Sequence, residues 1–548
     1  MISDERKVSA EGTIRVLDLA GLEADVIIEA DVGVVVRDGT RLSTKIFRPA
    51  GAGEYPVILV LTAYGKDLGP DTYPEAARYA ERADYDNGVV EVSPWTTWEG
   101  PDPATWVPDG YAVVYLDVRG YHASEGDASV LSPRDAEDFY DVIEWAGAQP
   151  WSNGNVGTLG VSYLAISQWA AAGLNPPSLK AMAPWEGQTD SYREVLYHGG
   201  VPETSFTKFW LNRINGLANT PPLPEHDVFA FLHRDPQLMT GIREDQFIEP
   251  ERSEVPALVA ATWSDHGMHT RGSFGGFSRS SASQKWLFTH GRPKWATFYS
   301  EEAIAYQKAF FAHFLKGEDN GMAQQPAVRL EVRESLDEYS VRDENEWPLT
   351  RTDYHPLYLD AGGSLADSRP DVAGVATYQP LTESATFTIT FDEDIEITGH
   401  TALRLWVSTT AGSDMDLFVG LKKLDRAGEE VHFYAKAGYT KGVAAMGWLR
   451  VSERALDATQ STPWQPVLSH TDPQPLTPDE VVPVDIEILP SSTLFRSGES
   501  LQLVVQGADL FEHVALGHAY SADVNTGSHT IHAGGEYDSH LLIPRIPQ

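Results

Sequence analysis

"GTLGVSYLA", residues 157–165, is the stretch whose reading decides the fold. It starts as a short β-compatible run, turns through Gly160, and sets Ser162 ahead of "YLAISQWAAAG", which has the spacing and composition of a helix. Two readings compete. In one, Ser162 is a helix cap whose hydroxyl accepts from a free backbone N–H. In the other, the chain turns so tightly between strand and helix that only small neighbours fit, and the turn holds the serine out as a nucleophile.

The surrounding pattern supplies the context for the second reading. "DVIIEADVGVVVRDGTRLSTKIFRP" carries β-branched residues on either side of a hairpin-like Asp38-Gly39. "YPVILVLTAYG" and "YAVVYLDVRG" are short continuous apolar runs, as expected of strands buried on both faces of a parallel sheet. Between the second run and the serine, Ala136, Phe139, Tyr140, Ile143 and Trp145 predict an amphipathic helix over 135–149. Strand and helix in alternation argue for an α/β layer architecture. Helix-like pieces among Gly, Pro and aromatic residues follow from 186 to about 250 ("SYREVLYHGG", "FTKFWLNRINGL", "EHDVFAFLHRDPQLM") and read as an inserted helical cap. Strands return at "VPALVAATWS" and "QKWLFTH", then a helix over 301–317. Beyond about residue 325 short strands alternate with turns, which predicts a β-sandwich of jelly-roll type.

Composition narrows the function. At 548 residues the chain is expected to hold two or three domains. Its 79 acidic and 41 basic residues give a formal charge of −38, which repels phosphate backbones and anionic membrane surfaces, so nucleic acid is not an expected partner. The absence of cysteine excludes disulfides, thiolate metal sites and a cysteine nucleophile. "MISDERKVSAEGT" has no apolar segment of the kind a signal peptide needs, and no run reaches the ~18 apolar residues of a membrane span. A soluble cytoplasmic protein is expected, and a homo-oligomer stays open.

A serine hydroxyl is a poor nucleophile without a base, and the base needs an orienting acceptor. Asp265 ends "ALVAATWSD" and His290 ends "KWLFTH", so each is expected at the C-terminal end of a strand, in the order acid then histidine. Taken singly, they read as a turn-capping aspartate and a loop histidine. "DHGMH" sets His266 and His269 beside Asp265, but no further ligand set with a known spacing accompanies them, so no metal is expected. Arg119 in "DVRG" is expected in an internal salt bridge, and "SPWTTWEGPDPATW" reads as a pocket lining or as aromatic loop packing.

"GVSYL" at 160–164, "AYGK", "DVRGYHASEG", "WSD" with the later histidine, and "ITGHTALRLWVSTTAGSDMDLFV" and "VDIEILPSSTLFRSGESLQLVV" further on complete a wider pattern. Over nearly the whole chain it resembles the CocE/NonD type of serine hydrolase: bacterial cocaine esterases, α-amino acid ester hydrolases and X-Pro dipeptidyl-peptidase-like acyl esterases. The resemblance implies an α/β-hydrolase core (1–185 and 251–324), the cap (186–250) and a C-terminal jelly-roll β-sandwich (325–548). It implies Ser162 as nucleophile, His290 as general base and Asp265 as the group orienting it, with an oxyanion hole from the Tyr163 backbone N–H and the Tyr64 phenol. No cofactor or metal is implied, and the substrate would be a small-molecule acyl ester. An amide-cleaving relative and a non-catalytic carbohydrate- or surface-binding protein are the alternatives. The chain departs from the pattern at Ala165, where the family usually has glycine, and at His290, which lacks a preceding Gly-Pro-Trp run. Gly267 and Met268 stand where relatives that bind a substrate ammonium carry acidic residues.

Overall fold

A computed structural model describes residues 14–19, 21–70, 82–221, 248–511, 516–518 and 524–547. Its central sheet is built from β1 (Val26–Val35), β2 (Arg41–Pro49), β3 (Tyr55–Thr62), β4 (Ala112–Asp117), β5 (Ser152–Val161), β6 (Leu179–Trp185), β7 (Ala257–Thr262) and β8 (Lys285–His290). Two further strands, β9 (Val328–Arg333) and β10 (Tyr339–Glu344), extend it. Neighbours run β1-β2-β4-β3-β5-β6-β7-β8-β9-β10, and β4, β3, β5, β6, β7, β8 and β9 are parallel. Parallel neighbours cannot be joined by a tight turn and need long crossovers, which here carry helices.

Those helices explain the uninterrupted apolar runs. In β5, Gly157 turns toward Phe311 and Leu315 of α5 (Glu301–Lys316), while the Thr158 hydroxyl donates to Gln168 Oε1 of α2 (Tyr163–Ala172). Successive residues thus meet helices on opposite faces, and neither face is left for polar side chains. Val57 to Leu61 and Ala112 to Leu116 are fully buried accordingly.

The helix expected near 135–149 is α1 (Pro133–Gly147), started by a capping box in which Ser132 and Asp135 serve each other's backbone N–H. Ser300 caps α5, and Gly317, at φ 71°, ends it. Within the expected cap, α3 (Phe206–Asn215) follows a short hairpin, Tyr197–His198 with Val201–Pro202. The segment "EHDVFAFLHRDPQLM" lies outside the described residues.

The C-terminal part is strand-rich, as its alternating pattern foretold, and its first strands still pack on the central sheet. Val328, Leu330, Val332, Trp347 and Leu349 pack into the N-terminal core, because β9 continues the parallel sheet beside β8. A separate apolar core starts at Leu357. It lies between antiparallel strands, notably β11 (Asp353–Asp360), β12 (Ser384–Thr390), β13 (Ile395–Thr409), β14 (Asp416–Leu424), β15 (Val482–Phe495), β16 (Ser500–Gln506) and β17 (His540–Ile546). No helix among the described residues is long and apolar enough to cross a membrane.

Candidate active site

Ser162 follows β5 directly, in a conformation that L side chains rarely adopt, at φ 59° and ψ −118°. Strain of this kind persists only where surrounding structure enforces it. Here the Ser162 N–H is tied to the Trp185 carbonyl at the end of β6, and its own carbonyl accepts from the N–H groups of Ala165 and Ile166. Its side chain makes no helix-capping bond, so the capping reading is set aside. The extra methyl of Ala165 fits because Gly187, whose Cβ would lie 3.0 Å from it, has no side chain.

Ser162 Oγ lies 3.1 Å from Nε2 of His269. This corrects the expected role of His290. His290 is still inside β8, so it follows the strand's alternation with Trp286 and Phe288, both of which pack on α5. Its ring stacks on Trp185 and its Nε2 lies 3.0 Å from Glu186 Oε1, with no solvent exposure. Burial, then the nearby Arg292, lowers its pKa to about 3. His269 instead stands at the head of α4 (Thr270–Arg279), where the chain doubles back after β7. Gly267, at φ 77°, permits that turn, and the N–H groups of Met268 and His269 donate to the Asp265 carbonyl. The signal was present in "DHGMH": a histidine four residues after an acid comes round to the same side of one turn.

Asp265 is brought to this site, though on the Nε2 side of the imidazole rather than behind Nδ1. Its Oδ2 lies 3.9 Å from His269 Nε2 and accepts from Lys294 Nζ at 2.9 Å. Burial pushes the Asp265 carboxyl up, but Lys294, then His269 and Lys436, outweigh it and hold the group at about 2. Burial likewise works against the Lys294 ammonium, yet Asp265, Glu186 and Glu99 raise its pKa above the ordinary value. His269 is held well below its ordinary pKa by burial and by Lys294, against the pull of Asp265. It is therefore neutral at ordinary pH, with Nε2 free to accept the serine proton.

The rings of Tyr64 and Tyr163 meet edge to face with centroids 6.4 Å apart. Tyr64 Oη accepts from Trp210 Nε1 of α3 at 3.4 Å and is bonded to the Glu99 carboxyl. Burial pushes Glu99 to about 7 against Lys294 and a 3.0 Å bond from Trp295 Nε1. The Tyr163 side chain donates to Asp135 Oδ2 at 3.1 Å, and its backbone N–H is the first of α2, without a partner inside the helix. Arg119 is indeed in an internal salt bridge, 2.6 Å from Asp138 Oδ1 and paired with Asp38. Glu99, Glu186 and Lys294 had no motif to mark them. Among the described residues no cluster of His, Asp and Glu could hold a metal ion.

Comparison with known proteins bears on this geometry. Residues 38–292 match the X-Pro dipeptidyl-peptidase (S15) family, and residues 320–542 match the X-Pro dipeptidyl-peptidase C-terminal non-catalytic domain. A CocE/NonD family hydrolase from Staphylococcus aureus of known structure is 42% identical, with a TM-score of 0.91 over 95% of this chain and 94% of its own. The chain belongs to the CocE/NonD family of hydrolases. The cocaine esterase of Rhodococcus sp. (strain MB1 Bresler) is a more distant relative, 26% identical over 95% of this chain and 98% of its own. An α-amino acid ester hydrolase shares the fold at 18% identity and a TM-score of 0.69 over 99% of both chains. This CocE/NonD hydrolase is thus an enzyme of the serine esterase type.

Proposed function

We propose that this hydrolase cleaves carboxylic esters through an acyl-enzyme on Ser162, with His269 as its general base. The contact of 3.1 Å between Ser162 Oγ and His269 Nε2, at a strained strand-to-helix elbow, carries the reading. Ser162 Oγ attacks the ester carbonyl carbon as His269 Nε2 takes its proton. The carbonyl oxygen becomes an oxyanion within the field of the Tyr163 N–H and the Tyr64 phenol. Collapse breaks the bond to the alcohol, which leaves with the proton held by His269. Water then repeats the sequence on the acyl-enzyme. Asp265 contributes its fixed negative charge, which favours the imidazolium formed at each proton transfer.

The same reading takes residues 186–250 as a cap over the serine and the C-terminal strands as a jelly-roll sandwich, so that small acyl esters are the substrates admitted. A substrate ammonium is not called for, since positions 267 and 268 offer no carboxylate.

Ser162→Ala is expected to abolish turnover of a chromogenic ester. His269→Gln is expected to lower kcat by about 10²- to 10⁴-fold, the usual range for a lost general base, while His290→Gln stays within about tenfold and lowers Tm. The opposite ranking of the two histidine variants would refute the assignment. Matched ester and anilide substrates decide whether amides are also cleaved.

A further inference from the structure

The turn that carries His269 is held from outside the central sheet by side chains that ester cleavage does not use. Asp509 Oδ1 lies 2.7 Å from His518 Nδ1, and His518 Nε2 lies 2.8 Å from His198 Nδ1. His198 Nε2 in turn lies 2.9 Å from the Gly267 carbonyl and 3.2 Å from that of Glu194. Gly267 is two residues before His269. Asp509 and His518 belong to the C-terminal part, and His198 to the hairpin that precedes α3. The two rings are only 2% and 6% exposed.

Counting hydrogens constrains this chain of contacts. Carbonyl oxygens only accept, so His198 Nε2 carries a hydrogen. The contact between ring nitrogens needs a second, and the contact with Asp509 a third. An ionised carboxylate and two neutral imidazoles supply two. We infer that Asp509, His518 and His198 form a proton-holding relay with one extra proton, and that its grip on the Gly267 carbonyl positions His269 against Ser162.

With that proton the relay is neutral overall, an anion beside a shared cation, which suits burial. Burial holds His198 low, at about 3, while the 2.7 Å contact with the Asp509 carboxylate favours the extra proton on the neighbouring ring. The other charged groups facing His198 are Glu203 and Lys436, opposite in sign. Among the described residues, Trp448 stacks on His198 at 4.7 Å, and Phe418 meets His518 edge-on at 5.1 Å. When the extra proton leaves, two lone pairs face each other, one bond is lost and the clamp on Gly267 slackens. Activity then has an alkaline limb that belongs to none of Ser162, His269 or Asp265, and the C-terminal part shares in setting the catalytic geometry.

The inference rests on His269 being the base, but its direct test does not need turnover. In the full chain labelled with ¹⁵N-histidine, one ring, identified by its loss in His518→Gln, is expected to show both nitrogens protonated at neutral pH. It should titrate together with the alkaline limb of kcat/KM. His518→Gln is expected to remove that limb and lower kcat by about tenfold, as a modest misplacement of a catalytic group does, with KM little changed. Two neutral rings at neutral pH, or an unchanged limb in the variant, would overturn the inference. Should His518→Gln fail to fold, Asp509→Asn removes the counter-charge and must shift the limb to lower pH; a limb that stays in place overturns it as well. An ester hydrolysis that survives Ser162→Ala would sink the serine reading instead and leave the protonation result standing.

Discussion

Lys294 places an ammonium 2.9 Å from Asp265 Oδ2 and lowers the basicity of His269 from the same position. Replacing it with Met should raise the pKa of His269, because the repelling charge is gone and Asp265 remains. A base must be neutral to act, so the acid limb of kcat/KM should move to higher pH. Thermal unfolding should also show a loss of about 3–5 kcal/mol, the usual cost of stranding one member of a buried ion pair. Glu99 makes a second prediction. Its pKa is raised from 4.5 to about 7 in the folded chain, so between those values the folded state binds more protons and stability falls as pH rises. Glu99→Gln should be nearly neutral at pH 4.5 and stabilising above pH 7, by on the order of 3 kcal/mol, measured by denaturation at both. At this scale the elbow was legible because Gly160 and Ser162 announce a local turn. The histidine beside Ser162 was not, since Asp265 is followed by three histidines within reach and only one meets the hydroxyl.

The strand β5, the elbow and α2 act as one unit, and Gly160 is where strand and helix crowd each other. A Cβ there would lie 2.6 Å from the Cβ of Leu164 in the first turn of α2. Gly160→Ala should therefore cost about 1–3 kcal/mol and, by shifting Ser162, lower kcat more than that loss of stability explains. Further from the site, Ser132→Ala removes half of the capping box of α1 and should cost about 1 kcal/mol with kcat unchanged, read by thermal unfolding and an ester assay together. Elements were the most legible level of the sequence. The runs 55–62 and 112–117 are strands and 133–147 and 301–316 are helices, since apolar spacing and caps are written locally. What local pattern leaves open is the partner of a strand: "VRLEVRES" has the same look whether it closes a sandwich or, as β9, extends the parallel sheet beside β8.

Arg333 is one of the links across the molecule: its Nη2 donates to the Ala444 carbonyl at 3.0 Å and to Ser491 Oγ at 2.8 Å from the end of β9. Arg333→Ala removes these bonds between the central sheet and the C-terminal strands. Calorimetry of that variant should resolve two transitions where the parent shows one. The charge of −38 acts on the molecule as a whole, so added salt should raise Tm of the parent through the range where the screening length falls to about 10 Å. Read alone, the sequence established an α/β chain with a serine elbow, a strand-rich C-terminal part and no means of cysteine chemistry, because periodicity, turn glycines and residue counts are local or additive properties. Only the tertiary structure chose His269 over His290, set Lys294 against Asp265 and joined His198 to His518. Those choices depend on which face of a strand a side chain takes and on where a turn doubles back, distances fixed by packing between segments far apart in the chain.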